Sequence, residues 1–442
     1  MNEMNTLDAS KSPLWHPWLP NTSPDQWLTV VEGEGCWVKD EYGNRYLDAC
    51  GGVWSTQCGL GNKPIIEAIT EQLHTLSFAS LMQNRTHPTA LKLAKKLVEL
   101  TPDPLENVFL TNSGSESVDL AIKLARQFWQ IQDRPDKHHI VHLDCSFHGS
   151  FFGSMSVTGL IGTPPGWSPG VPSMHAIPAP LDAGVPTEEA LWQSTQQLEM
   201  LAIQSFGNLA AFIVEPIVGS AGVYPFPQAW WDQVRQICQQ HEILLIVDEV
   251  ATGFGRTGTW FACEHYGLHP DILTVSKGIS NGYLPLGATL FSKEIGDTFR
   301  DHHTPIYHGS SHNGNPVCCA AALATIEELS KGGLVEKAKS SGTYFLNALA
   351  KLDSPLVREV RGIGLMLAMS LQQTDGSAPQ PLQILAVHKA LEENGLLTYR
   401  FQEGILLFPA LTISETELDF AVEAIANTLA MENILQADPS YV

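Results

Sequence analysis

The chain has 442 residues, 44% of them hydrophobic, and a formal charge of −22. That length provides for one large and one smaller domain, each with its own core. The acidic balance argues against nucleic acid or an anionic membrane as partner. Eight cysteines show no repeated C-x-x-C spacing, so neither a zinc site nor a disulfide framework is indicated. The N-terminus lacks a basic start followed by an apolar stretch, and no apolar run reaches about 18 residues. A reducing, cytoplasmic compartment is therefore expected, with no membrane partner and no metal.

Residues 1–30 are polar and rich in Pro and Trp, with Leu14-Trp-His-Pro-Trp18, and read as an irregular arm that packs its tryptophans. Residues 28–49 alternate between glycine turns and read as a small antiparallel sheet ending at Asp48. A glycine-rich loop, Gly51 to Gly61, precedes a helix expected from about Pro64 to Leu76, with proline in its first turn. The helical pattern resumes from Pro88 to Leu100. Val108-Phe-Leu110 then leads into Thr111-Asn-Ser-Gly-Ser-Glu-Ser117, which opens a helix expected over Val118–Gln130. Small hydroxyl and glycine residues at a helix N-terminus offer free N–H groups to a phosphate. The same run is also an ordinary capping box, Ser113-Gly-Ser-Glu116.

Ile140 to Leu143 is an expected strand, followed by Ser146-Phe-His-Gly-Ser150. The proline-rich stretch 163–187 reads as a long loop and about Thr187–Ser205 as a helix. Leu209-Ala-Ala-Phe-Ile-Val-Glu215 is a buried strand ending in a carboxylate. Ile243-Leu-Leu-Ile-Val-Asp-Glu-Val250 is a second, carrying an acidic pair where open α/β sheets bind ligands. Gly253-Phe-Gly-Arg-Thr-Gly258 matches the dinucleotide fingerprint literally. It lies past the middle of the chain and follows two acids that would repel a pyrophosphate, and its nearest acids, Glu264 and Asp271, fall six and thirteen residues beyond Gly258, where the fingerprint expects one about twenty on at a second strand's end. A turn-rich loop is the better reading.

Asp271-Ile-Leu-Thr-Val-Ser-Lys-Gly-Ile-Ser-Asn-Gly-Tyr-Leu-Pro-Leu-Gly-Ala288 places Lys277 between an apolar run and a glycine-rich segment. A lysine at a buried strand end is costly unless paired or covalently engaged, and a neutral amine forms a Schiff base with an aldehyde. Aspartate at one strand end and lysine at the next suit pyridoxal phosphate: the lysine holds the aldehyde, the aspartate keeps the ring nitrogen protonated. An Ala-rich helix is expected after Pro316, to about Leu329. Residues 330–442 form a helix, a strand over Val360–Ser370 with a glycine bend, a helix over about Leu382–Asn394 and a strand from Gly404. No internal repeat appears.

The Asp-Glu-Val and Ser-Lys-Gly motifs at this separation resemble those of the fold-type I pyridoxal-phosphate enzymes, and in detail the class III (omega-amino acid and amine) aminotransferases. The resemblance implies a large domain (61–328) with a mostly parallel seven-stranded sheet. It implies a smaller α/β domain from both termini, 1–60 with the arm and 329–442. It assigns Ser113, Gly114 and Ser115 to the cofactor phosphate. Phe147 stacks on the ring where relatives carry tyrosine, with His148, Glu215 and Val250 beside the cofactor. Ser311 reaches across a homodimer to the partner's phosphate, replacing a threonine, and His312 replaces an aromatic residue.

By the same resemblance Trp54, together with Phe147, is expected over the substrate, and Arg400 is expected to be the cation for a substrate carboxylate. The family's other carboxylate arginine would fall at 406–408, which are Leu406, Leu407 and Phe408. The implied reaction is transamination from an amine or omega-amino acid to a keto acid, pyruvate first, through an aldimine on Lys277, with Lys277 and Asp248 catalytic. A decarboxylase or aminomutase on the same scaffold, a nicotinamide dehydrogenase and a non-catalytic module are the alternatives.

Overall fold

The computed structural model describes residues 13–18, 27–161, 164, 166–181, 184, 186–431 and 434–435. Most of the expected arm and parts of the 163–187 stretch therefore lie outside the described residues.

A seven-stranded sheet runs through the middle of the chain. Its spatial order is Leu105–Thr111, Gly287–Ser292, Ile272–Val275, Leu244–Asp248, Leu209–Val214, His139–Leu143 and Met174–Ile177. Only Gly287–Ser292 is antiparallel to its neighbours. The central strands are apolar runs because both faces are covered. Leu244 and Ile246 join one hydrophobic cluster, Leu245 and Val247 the other. Fully burying each such side chain contributes roughly 1.5–3 kcal/mol, so the carboxylates of the central strands stand where those strands stop.

Helices start where a cap stands ready. The helix Pro88–Leu100 has proline at its N-terminal end and a cap from His87, and it buries Ala90, Leu93 and Leu97 at helical spacing. The helix after the first strand begins at Gly114, four residues earlier than the apolar period indicated, because Ser113 is its N-cap. The 163–187 stretch is not all loop: Met174–Ile177 pairs in parallel with His139–Leu143 at the sheet edge. The expected strand Val360–Ser370 is instead a hairpin, Val357–Ile363 against Met366–Leu371. Its turn contains Gly364 at φ 56°, a conformation cheap for glycine. An early and a late stretch of the chain meet in a small sheet, where Leu396–Leu397 pairs in parallel with Arg45–Asp48.

Among the described residues no helix is long and apolar enough to cross a membrane, and no group of His, Cys, Asp or Glu is arranged to hold a metal.

His142 is buried inside the sheet, with Nδ1 3.0 Å from the Leu143 carbonyl oxygen. Burial pushes its imidazole down to about 4. The folded state thus resists a proton that the unfolded chain takes up near pH 6.5. Stability is complete above that value and falls as pH drops toward 4, at about 1.4 kcal/mol per pH unit from this group. Melting temperature measured from pH 7 to 5 should fall less steeply in His142→Gln than in the parent. Parallel curves would remove His142 from the acid response.

Candidate active site

The parallel strands all end at one edge, and the sheet's polar residues collect there. Asp248 closes its strand, Glu215 follows Val214, Phe147 and His148 follow Leu143, and Lys277 follows Val275. Together with Trp54, Ser113, Gly114, Ser115, Gly149, Ser220, Val250, Ala251 and Ser276 they line a cleft of about 600 Å³.

At one end sits a carboxylate held from several sides. Asp248 Oδ1 accepts from Val250 N (3.0 Å) and Thr274 Oγ1 (3.0 Å), and Oδ2 lies 2.8 Å from His148 Nδ1. The imidazole is itself fixed, because His148 N donates to Thr158 Oγ1 at 2.9 Å. His148 Nε2 is buried with no hydrogen-bond partner. Beside the pair, Glu215 accepts from Phe147 N and Gly219 N, both at 3.0 Å. Burial raises its pKa and the neighbouring Asp248 adds to the rise, against the opposing pull of His148.

Lys277 occupies the left-handed region at φ 41°, uncommon for a residue with a side chain. Its Nζ stands 4.5 Å from the centroid of the Trp54 ring. Burial lowers its pKa, partly offset by Asp248 and Glu215. The amine is thus biased toward the neutral, nucleophilic form. Trp54 is delivered by an unusual turn: Gly51, Gly52, Val53 and Trp54 are all left-handed, φ 54° to 68°. Two of these four are not glycine, and each costs about 1–2 kcal/mol. Part of that cost is offset by the stack of Trp54 on Phe408, with ring centroids 4.4 Å apart and 15° between planes.

The other end of the cleft is the N-terminus of the 18-residue helix Gly114–Ile131. A Cβ on Gly114 would meet Val250 Cγ1 at 2.7 Å, so only glycine fits between helix and cleft wall. Ser115 Oγ accepts from Ser150 N at 3.1 Å. Glu116, one residue on, is buried, yet hydrogen bonds from His308, Asn313 and Asn112 outweigh burial and hold its carboxyl down to about 2. It ties the segment carrying Ser311 to this helix. Ser311 and His312 are exposed and lie outside the cleft, with His312 edge-on to Phe78 at 5.8 Å.

Arg400 is not brought to the cleft. It sits exposed in the strand Tyr399–Phe401, where successive side chains face opposite ways. Tyr399 meets Trp54 edge-on at 5.7 Å, whereas Arg400 acts on His388, in the helix Pro381–Glu393. Trp18 of the arm, absent from the expected site, reaches Phe147 at 6.5 Å. Thr274 and Ser220 also went unforeseen, since a lone hydroxyl in a strand or turn gives no signal.

A family model for class-III aminotransferases matches residues 19–429. An omega-amino acid–pyruvate aminotransferase of Pseudomonas putida is 34% identical over 386 residues, 84% of this chain and 86% of that one. An adenosylmethionine-8-amino-7-oxononanoate aminotransferase of Geobacter sulfurreducens is 32% identical over 445 residues, 96% of each chain. Among solved structures, an (S)-enantioselective omega-transaminase from Thermomicrobium roseum matches with a TM-score of 0.90 at 35% identity, covering 95% of this chain and 96% of that one.

Proposed function

Because the chain belongs to the class III aminotransferases, enzymes of fold type I that transfer amino groups, we propose that this cleft is its active site and that pyridoxal phosphate is held there. The observation that carries the reading is the juxtaposition of a lysine of lowered pKa with a fixed carboxylate in one cleft. The fit is supported at both ends. The glycine cradle at Gly114 leaves room at a helix N-terminus, and Asp248 faces the cleft with lone-pair capacity to spare.

The cofactor, when bound, supplies an aldehyde for amines and an electron-poor ring that stabilises negative charge on the adjoining carbon. Lys277 Nζ is the group that would hold the cofactor's aldehyde, and the same nitrogen is placed to serve as the base at the donor's amine-bearing carbon. Asp248 holds a proton on the ring nitrogen, with His148 and Thr274 fixing its orientation. Backbone N–H groups of Gly114 and Ser115 and the Ser113 hydroxyl would hold the phosphate, and Phe147 and Val250 would wall the ring. Glu215 fixes the Phe147 backbone, and Trp54 with Phe147 walls the donor pocket.

The donor is an amine or omega-amino acid, and pyruvate is the proposed acceptor, as in the name of the Pseudomonas putida relative. A donor panel run with pyruvate and with 2-oxoglutarate tests this. Failure to form pyridoxamine phosphate from any donor would sink the transaminase reading. Arg400 is the proposed cation for the acceptor's carboxylate, so Arg400→Ala should raise the KM for pyruvate with kcat less affected. A KM equal to the parent's would leave the carboxylate to another group.

The proposed assembly is a homodimer in which Ser311 reaches the partner's phosphate. It is supported by exposed apolar side chains at Ile66, Leu73, Phe78, Met82, Leu91 and Tyr307. The mass in dilute solution, read alongside cofactor retention, should be that of a dimer. A fully active monomer would refute it. A large 61–328 domain, a small one from both termini and a cytoplasmic location complete the proposal, the last supported by eight unbridged cysteines.

A further inference from the structure

The loop Gly253–Gly258 does not line the cleft, yet it holds a fully buried cation. Arg256 has no exposed surface, and its Nη1 donates to the carbonyls of Leu365 (3.0 Å) and Pro409 (2.5 Å). Its own carbonyl accepts from Leu365 N at 3.0 Å. Nε and Nη2 are buried with no hydrogen-bond partner. Asp48 favours its charge without forming an ion pair with it. A guanidinium buried on these terms is expensive, so an apolar residue would fill the space at lower cost.

The glycines around it show what the loop touches. A Cβ on Gly258 would meet Lys339 Cβ at 2.8 Å, and one on Gly255 would meet Leu411 and Val335 at 3.1 Å. From the opposite side, a Cβ on Gly364 would strike the Thr257 carbonyl carbon at 2.5 Å. The motif is a place where the C-terminal third of the chain lies directly against the loop's backbone.

Pro409 is the residue after Phe408, and the Arg256 guanidinium lies 5.9 Å from the Phe408 ring. Phe408 N donates to Ala49 O at 2.7 Å, and its ring is the one stacked on Trp54. Trp54 stands over Lys277 Nζ. An unbroken series of contacts runs from Arg256 through Pro409, Phe408 and Trp54 to the amine.

We propose that Arg256 is a positioning residue for donor selectivity: by fixing the Phe408–Pro409 backbone it sets the pitch of Trp54, and so the bulk of donor side chain the cleft accepts. The proposal rests on the aminotransferase reading of the cleft. It is tested in the cofactor-loaded enzyme by comparing kcat/KM for n-butylamine and 1-phenylethylamine, with pyruvate as acceptor, in the parent, Arg256→Lys and Arg256→Met.

The ratio between the two donors should shift by about tenfold or more in Arg256→Met, since displacing a positioning group by about 1 Å can cost a hundredfold. Arg256→Lys, which keeps the charge and can still reach one carbonyl, should fall between it and the parent. Gly364→Ala pushes on the same loop with Arg256 intact and should move the ratio as well, which keeps the test alive if the Arg256 variants do not fold. Equal losses on both donors, or an unchanged ratio in Gly364→Ala, overturn the proposal and leave Arg256 as packing. A parent enzyme inactive on both donors would instead count against the aminotransferase reading itself.

Discussion

Lys277→Ala should abolish amino transfer, and borohydride reduction of the cofactor-loaded parent should leave its stable label on Lys277 alone. The lysine is given two tasks in the proposed site, anchoring the aldehyde and moving the proton at the donor carbon. A positioned general base is worth about 10²–10⁴-fold by itself, and loss of the covalent anchor adds to that. Both tasks need a neutral amine part of the time. Burial supplies that condition by lowering the pKa of Lys277, and the left-handed backbone at this position aims the side chain over Trp54. Lys277→Arg should not rescue activity, because a guanidinium keeps its charge in any protein setting and does not attack an aldehyde. The measurements are single-turnover rate and peptide mapping after reduction. Label on another lysine, or activity of Lys277→Ala within about tenfold of the parent, would end the assignment.

The reasons this residue was legible in the sequence also explain what was not. Lys277, Asp248 and Glu215 interrupt or end runs that are apolar because both sheet faces are covered. A charge there stands out against its background. Met174–Ile177 offers no such contrast: it is a four-residue edge strand, incompletely buried and flanked by prolines. The hairpin at Gly364 was hidden because Ile363 and Leu365 on either side of it run straight into the apolar Met366–Leu371, so the turn reads as a bend in one strand. A motif can place a segment near a site, but a strand turns adjacent side chains to opposite faces, and it is Tyr399 rather than Arg400 that meets Trp54. The Phe408–Trp54 stack joins residues far apart in the chain, and only the fold brings them together.

Asp248→Asn should keep the fold and the bound cofactor while losing about 10²-fold or more in rate. The substitution is nearly isosteric, and the surroundings can accept it. The amide oxygen can take the place of Oδ1 and go on accepting from Val250 N and Thr274 Oγ1. The amide nitrogen then faces His148 Nδ1, where the carboxylate oxygen had been. His148 can respond by moving its proton to Nε2, an atom that now has no partner, so that Nδ1 becomes the acceptor. Hydrogen bonding at the site is thereby conserved. Only the negative charge is removed, and with it the proposed ion pair that would keep a proton on the cofactor's ring nitrogen. Removing one preorganised electrostatic partner of a developing charge costs about 10²–10³-fold in kcat. His148→Gln separates the parts of this argument, because it disturbs the orientation of Asp248 and leaves its charge in place. It should cost less than Asp248→Asn at equal cofactor occupancy. The decisive comparison is the half-reaction rate at full occupancy, read from the cofactor's absorbance. A rate for Asp248→Asn within a few-fold of the parent would mean that another group holds the ring nitrogen.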